Sequence, residues 1–94
     1  MRITEEVQML SDLALRYLCT LPNGAKITTE EAMKKVCADQ ETPIYANWDL
    51  YKWHELHHAV WNCAARYGLK LEDPNMGKIR GGLFHRILYV VTHQ

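Results

Sequence analysis

The segment His-Glu-Leu-His-His at residues 54–58 contains residue types at a spacing that fits a chemical role. Histidines four positions apart lie one turn apart on the same face of a helix, so His54 and His58 are placed to share a zinc ion. Glu55 would then act as a general base on a zinc-bound water. The pattern H-E-x-x-H therefore raises a hydrolytic zinc site as a hypothesis.

The residues around this pattern argue against such a site. The extended pattern of zinc proteases has a glycine three residues after the second histidine, and Trp61 stands there instead. A third ligand would have to be Glu72, His85 or His93, none of which has a spacing typical of these enzymes. We therefore expect a protein that is not an enzyme and has no metal or cofactor, with the zinc site as a remote alternative. His57 is interpreted as a core or interface histidine.

Composition limits the possible function classes. The chain has 94 residues, its 11 basic side chains balance 11 acidic ones, and 48% of its residues are hydrophobic. These values predict one globular domain over 1–94 and exclude a disordered, highly charged tail. The neutral total hides an asymmetry, because residues 1–51 hold five basic and eight acidic side chains, whereas residues 52–94 hold six and three. The second part is thus locally positive.

Cysteine usage and the absence of long apolar runs predict the compartment. Cys19, Cys37 and Cys63 are widely spaced, form no C-x-x-C pair and have apolar neighbours, which is typical of reduced, buried thiols. The first residues are charged and no apolar run approaches the roughly 20 residues that cross a bilayer. We expect a cytoplasmic protein with no membrane segment.

Apolar periodicity and capping residues predict three helices and three short strands. Thr4 and Thr28 are expected N-caps, and Gly68 is an expected C-cap in left-handed conformation. The predicted helices cover 4–21, 28–39 and 48–67, and the predicted strands cover 25–27, 69–71 and 83–92. A loop is expected at 40–47, and turn residues fill the connection before the last strand.

This order of elements resembles the winged helix-turn-helix fold over nearly the whole chain. The predicted fold class is therefore α+β, mainly α, with three helices plus a C-terminal β-hairpin wing. One departure is the connection between the second and third helices at 39–47, which exceeds the three- or four-residue turn of a compact helix-turn-helix.

The resemblance implies that the third helix enters the major groove of DNA while the wing contacts the backbone. Asparagine and arginine read adenine and guanine edges, and lysine neutralises phosphate, so the polar side chains there suit that role. The function this predicts is a DNA-binding transcriptional or mobile-element regulator, with a homodimer left open. The residues implied to face double-stranded DNA are Tyr51, Lys52, Glu55, His58, Asn62, Arg66, Lys78, Arg80 and Arg86.

A cluster of aromatic residues favours a different partner. Six of the nine aromatic residues lie within residues 45–67. Tyr45, Trp48 and Tyr51 fall outside the apolar arc expected for the third helix, and exposed tyrosine and tryptophan are enriched in protein interfaces. The alternative function is therefore a protein-binding adaptor or phage-type inhibitor on the same scaffold.

Overall fold

The computed structural model of the protein describes residues 4–73 and 88–94. In these residues the chain has a mainly helical α+β structure with three α-helices and a three-stranded antiparallel sheet. Two short 3-10 segments, Ile44–Asn47 and Ala64–Tyr67, lie before and after the last helix. The helices are α1 (Glu5–Leu18), α2 (Thr29–Val36) and α3 (Leu50–Cys63), and the strands are β1 (Lys26–Thr28), β2 (Leu69–Glu72) and β3 (Leu88–His93).

The last strand, β3, lies at the centre of the sheet and pairs with both other strands. Ile27 of β1 lies opposite Tyr89, and Leu71 of β2 lies opposite Val91. All four side chains are buried, because alternate residues of a strand point to one face and that face packs on the helices. The element order and the strand order β1-β3-β2 are compatible with a winged-helix topology.

The capping residues expected from the sequence are confirmed. The Thr4 hydroxyl accepts a hydrogen bond from the Val7 amide at 3.3 Å, and the Thr28 hydroxyl accepts one from the Glu31 amide at 3.1 Å. Gly68 has φ +69 and ends the 3-10 turn that follows α3. Local sequence signals therefore set where these elements begin and end.

Several expected boundaries are wrong. The first helix ends at Leu18 rather than at residue 21. The residues that follow form turns, and Gly24 in them adopts φ +83. The expected loop at 40–47 contains a 3-10 turn, which begins where the Ile44 amide donates to the Gln40 side chain at 3.0 Å. The third helix starts two residues later than expected, with Asp49 as its N-cap. The predicted strand residues 83–87 lie outside the described residues.

The core lies between the helices and one face of the sheet. Val7, Leu15 and Leu18 of α1 pack there with Leu56 and Val60 of α3, and each is at most 1% exposed. Cys37 and Cys63 are buried and Cys19 is partly buried, all as free thiols, so the expectation of small apolar cysteines is confirmed. None of the helices in the described part of the chain has the length and apolar character needed to cross a bilayer.

Candidate functional site: the outward face of helix α3

One face of α3 points away from the core, and its position follows from the helical repeat. Trp53, Leu56 and Val60 are buried and face the core. Tyr51 and His58 lie about 180° away at 100° per residue and must therefore face outward. Tyr51 is 73% exposed, Leu50 at the edge of this face is 48% exposed, and the histidines are partly exposed. We call this surface the outward face; it comprises Leu50, Tyr51, His54, His58, Trp61 and Asn62.

The N-terminus of this face is fixed by a cap that the sequence reading did not assign. The Asp49 carboxylate accepts a hydrogen bond from the Lys52 amide at 3.0 Å, which satisfies one of the free amides of the first turn. The helix therefore begins at Leu50, which is exposed and starts the outward face.

Glu55 does not lie on the outward face, so its expected exposure to DNA is wrong. It is 7% exposed, and its Oε1 accepts a hydrogen bond from the Thr4 amide at 2.8 Å. Its Oε2 lies 3.5 Å from the Lys52 ammonium group, which leaves the Lys52 side chain only 38% exposed. This carboxylate thus ties α3 to the start of α1, and Lys52 lies beside it rather than on the outward face.

Three histidines occupy the middle of α3. The ring centroids of His54 and His58 lie 4.4 Å apart, and those of His57 and His58 lie 6.0 Å apart. Burial and, secondarily, the neighbouring His58 lower the pKa of His54. The His54 imidazole therefore carries less positive charge at a given pH than an isolated histidine would.

His57 points towards the sheet and bonds to it. Its Nδ1 lies 2.6 Å from the hydroxyl of Tyr89, and the two rings are stacked with an interplanar angle of 9°. Burial, then His58, and to a smaller extent His54 lower the pKa of His57 to about 4, against the opposing effect of Asp73. The Nδ1 atom of neutral His57 can accept a hydrogen bond from the Tyr89 hydroxyl, and burial raises the pKa of Tyr89 so that this hydroxyl stays protonated. His57 is thus hydrogen-bonded to the sheet but only partly buried, which agrees with its interpretation as a core or interface histidine.

The hypothesis of a hydrolytic zinc site on this helix does not fit the described structure. His54 and His58 are close enough to act together, but Glu55 is held by the Thr4 amide on another side of the helix. Within residues 4–73 and 88–94 no group of three or more histidine, cysteine, aspartate or glutamate side chains is arranged to hold a metal ion. The described part of one chain therefore supplies only two of the ligands that such a site needs, His54 and His58.

A cavity of about 270 Å³ lies beside the outward face, near the end of β2. Its volume is just below the usual lower bound of about 300 Å³ for small-molecule pockets. The cavity is a small depression on this side of the helix with both polar and aromatic side chains in its lining. It is lined by His57, His58, Trp61, Asn62 and Asp73.

Two of the three aromatic residues expected at a protein interface pack on the core instead. The rings of Tyr45 and Trp48 lie 5.6 and 5.1 Å from that of Trp53, and both side chains are partly buried. The prediction that Tyr45 and Trp48 are exposed is therefore wrong. Tyr51 remains exposed as expected, and Ile44, at 39% exposure, lies close to it in sequence.

The basic residues assigned to DNA contact are divided between the described and the undescribed residues. Arg66 is exposed in the 3-10 turn that follows α3, and Asn62 is exposed one turn before it. Lys78, Arg80 and Arg86 lie outside the described residues. Residues 74–87 nevertheless contain these three cations and no acidic residue, so the connection between β2 and β3 is basic by composition.

A second concave surface was not anticipated from the sequence. A cavity of about 500 Å³ lies between α1, β1 and α2, with Tyr17 and Ile27 in its lining. Lys26, Lys34 and Lys35 also line it, although this half of the chain has an acidic total. The adjacent lysines of α2 could have indicated this surface in the sequence, but the acidic total of residues 1–51 concealed them.

Comparison with protein-family models, with curated proteins and with solved structures finds no match to this chain.

Proposed function

We propose that the chain binds duplex DNA as a winged-helix domain, through the outward face of α3 and the basic connection between β2 and β3. The observation that carries this proposal is the placement of α3, whose polar side chains are turned outward. After β2 and Asp73 come residues 74–87, which contain three cations and no acidic residue. In a winged-helix arrangement these two parts contact the same duplex.

The outward face has side chains suited to reading base edges. Tyr51, His58 and Asn62 lie within about 40° of one another around the helix axis at 100° per residue. The Asn62 amide can donate to and accept from adenine in the major groove, and the imidazole and phenol groups offer single hydrogen bonds. Because Lys52 lies beside Glu55, specificity would come from these neutral groups and affinity from cations elsewhere.

Those cations are Arg66, Lys78, Arg80 and Arg86. Each phosphate that they neutralise releases counterions, which makes binding salt-dependent with a slope of about −0.9 per contact. Four contacts therefore predict weak, strongly salt-sensitive binding at physiological ionic strength.

The proposal is tested by fluorescence anisotropy with a short labelled duplex at several salt concentrations. Arg66→Ala and Arg80→Ala are each expected to weaken binding and to reduce the magnitude of the salt slope by about one. Asn62→Ala is expected to reduce the difference in affinity between preferred and random DNA sequences without changing the salt slope. The matched control is Lys34→Ala, which removes an exposed cation that pairs with Glu30 on α2. Undetectable binding at low salt, or equal affinity for all variants, would refute the proposal.

A second candidate function, binding to a protein partner, is favoured by one specific observation. Ile44, Leu50 and Tyr51 are large side chains with 39%, 48% and 73% exposure, and they lie around the N-terminus of α3. Exposed apolar and aromatic groups that lie together commonly form the centre of an interface.

The partner hypothesis is tested with Leu50→Ala combined with Tyr51→Ala, because neither side chain belongs to the core. Trp48→Ala is unsuitable, since Trp48 packs edge-on against Trp53 and its loss would damage the fold. Met9→Ala, which removes a side chain that is 58% exposed on α1, is the matched control. If the double variant captures the same partners as the unchanged protein, this patch is not the interface.

A further inference from the structure

The His54–His58 pair occupies the middle of the outward face, and only His58 of the two belongs to the DNA contacts proposed above. Both side chains are partly exposed, and their ring centroids lie 4.4 Å apart. Two imidazoles bound to one tetrahedral zinc at about 2.0–2.1 Å would have centroids roughly 5 Å apart. Small side-chain rotations therefore bring both rings to the distance that zinc requires.

The described part of one chain supplies only half of a closed site. No set of three or more ligating side chains is present there, and the Nδ1 of neighbouring His57 is engaged by the Tyr89 hydroxyl. Structural zinc sites are almost always four-coordinate, so two further protein ligands are needed. A second copy of the chain provides the same two imidazoles when the two α3 helices meet about a two-fold axis.

The surface beside the pair suits contact with a second copy. Leu50 is 48% exposed and Tyr51 is 73% exposed, and both lie one turn before the histidines. Trp61 lies one turn after them and is partly exposed. The formal net charge of +0 means that two copies do not repel each other through their total charge. Apolar side chains would thus flank the metal on both sides of the axis.

We propose that His54 and His58 of two chains bind one zinc ion and join the chains through the outward faces of their α3 helices. Four neutral imidazoles displace the six water ligands of the aqueous ion, with no change in oxidation state. The proposal goes beyond DNA binding, and it is tested without DNA, so its outcome is independent of that function. If both proposals hold, zinc hides the DNA-binding face.

The experiment uses the full chain, without a histidine tag and stripped of metal with a chelator. Zinc sulfate is titrated in a calorimeter, and the molar mass is measured by light scattering after size-exclusion chromatography. The expected result is one zinc per two chains, with the mass rising from 11.0 kDa to about twice that value only when zinc is present.

Variants separate this site from other sources of binding. His54→Asn and His58→Asn are each expected to weaken zinc binding by about tenfold or more and to abolish the zinc-dependent dimer. His93→Asn is the matched control: it removes an exposed histidine on β3 whose ring bonds to the Leu21 carbonyl, and it should bind zinc like the unchanged protein because the proposed site does not use His93 as a third ligand. Far-UV circular dichroism verifies that each variant is folded.

Three results would overturn the proposal. The first is the absence of zinc binding, and the second is a dimer that forms equally well without zinc. The third is one zinc bound per monomer, especially if His85→Asn abolishes it, because the missing ligands would then come from the same chain.

Discussion

The hydrogen bond between His57 and Tyr89 predicts a specific dependence of stability on pH. The two side chains join α3 to the central strand of the sheet, with Nδ1 2.6 Å from the hydroxyl. Protonation of His57 would remove the acceptor and place a charge in a mostly buried site. The folded protein therefore resists protonating this residue, whereas the unfolded chain does not.

The size and sign of the effect follow from the two pKa values. Burial and, next, His58 lower the pKa of His57 from 6.5 to about 4 in the folded protein. Because the folded value is the lower one, the unfolded chain binds more protons between these pH values, and the free energy of unfolding falls as pH decreases. The contribution of His57 is complete above pH 6.5 and is lost progressively down to pH 4. At 1.36 kcal/mol per pKa unit, the loss is at most about 3 kcal/mol.

Urea unfolding followed by tryptophan fluorescence between pH 4 and 8 measures this contribution. His57→Asn is the matched variant, because an amide can bond to the Tyr89 hydroxyl but does not titrate. The stability difference between the two proteins should shift by about 2–3 kcal/mol in favour of the variant as the pH falls. The reasoning is refuted if both proteins lose stability in parallel, since the acid sensitivity would then come from other groups.

Four further substitutions test other features of the structure by the same unfolding measurement. Glu55→Ala is expected to lower the free energy of unfolding by about 2 kcal/mol because it removes the charged acceptor of the Thr4 amide, whereas Lys52→Ala should cost less than about 1 kcal/mol. Equal losses would show that the ion pair, and not the amide contact, matters. Ser11→Ala should raise stability by about 1 kcal/mol, because the Ser11 hydroxyl is buried with no hydrogen-bond partner in the described part of the chain; a loss would indicate a partner. Gly68→Ala should cost about 1 kcal/mol through its φ of +69 alone, since nothing lies within 4 Å of an added Cβ, and an unchanged value would contradict that reason.

The elements that the sequence predicted well depend on short-range signals. Thr28 caps α2 through an amide three residues away, and Gly68 ends the 3-10 turn after α3 through its own φ. The alternation of buried and exposed residues in β2 is likewise a property of four consecutive residues. Such signals are readable without knowing what packs against the element.

The errors at the candidate site involve contacts between α3 and residues outside that helix. Glu55 is polar and was assigned to an exposed face, but its partner Thr4 is 51 residues away. The burial of Tyr45 and Trp48 depends on how the 40–48 connection folds back over Trp53. Helical periodicity places a residue on a face of its own helix and cannot show which neighbour covers that face.

The proposed DNA-binding surface is tested most directly by mapping amide chemical-shift changes during titration with a short duplex. The proposed function predicts changes concentrated at Tyr51, His58, Asn62 and Arg66 and within residues 74–87, and predicts that they disappear as salt is raised. Changes confined to the lysine-lined cavity beside α2, or no changes at low salt, would contradict it.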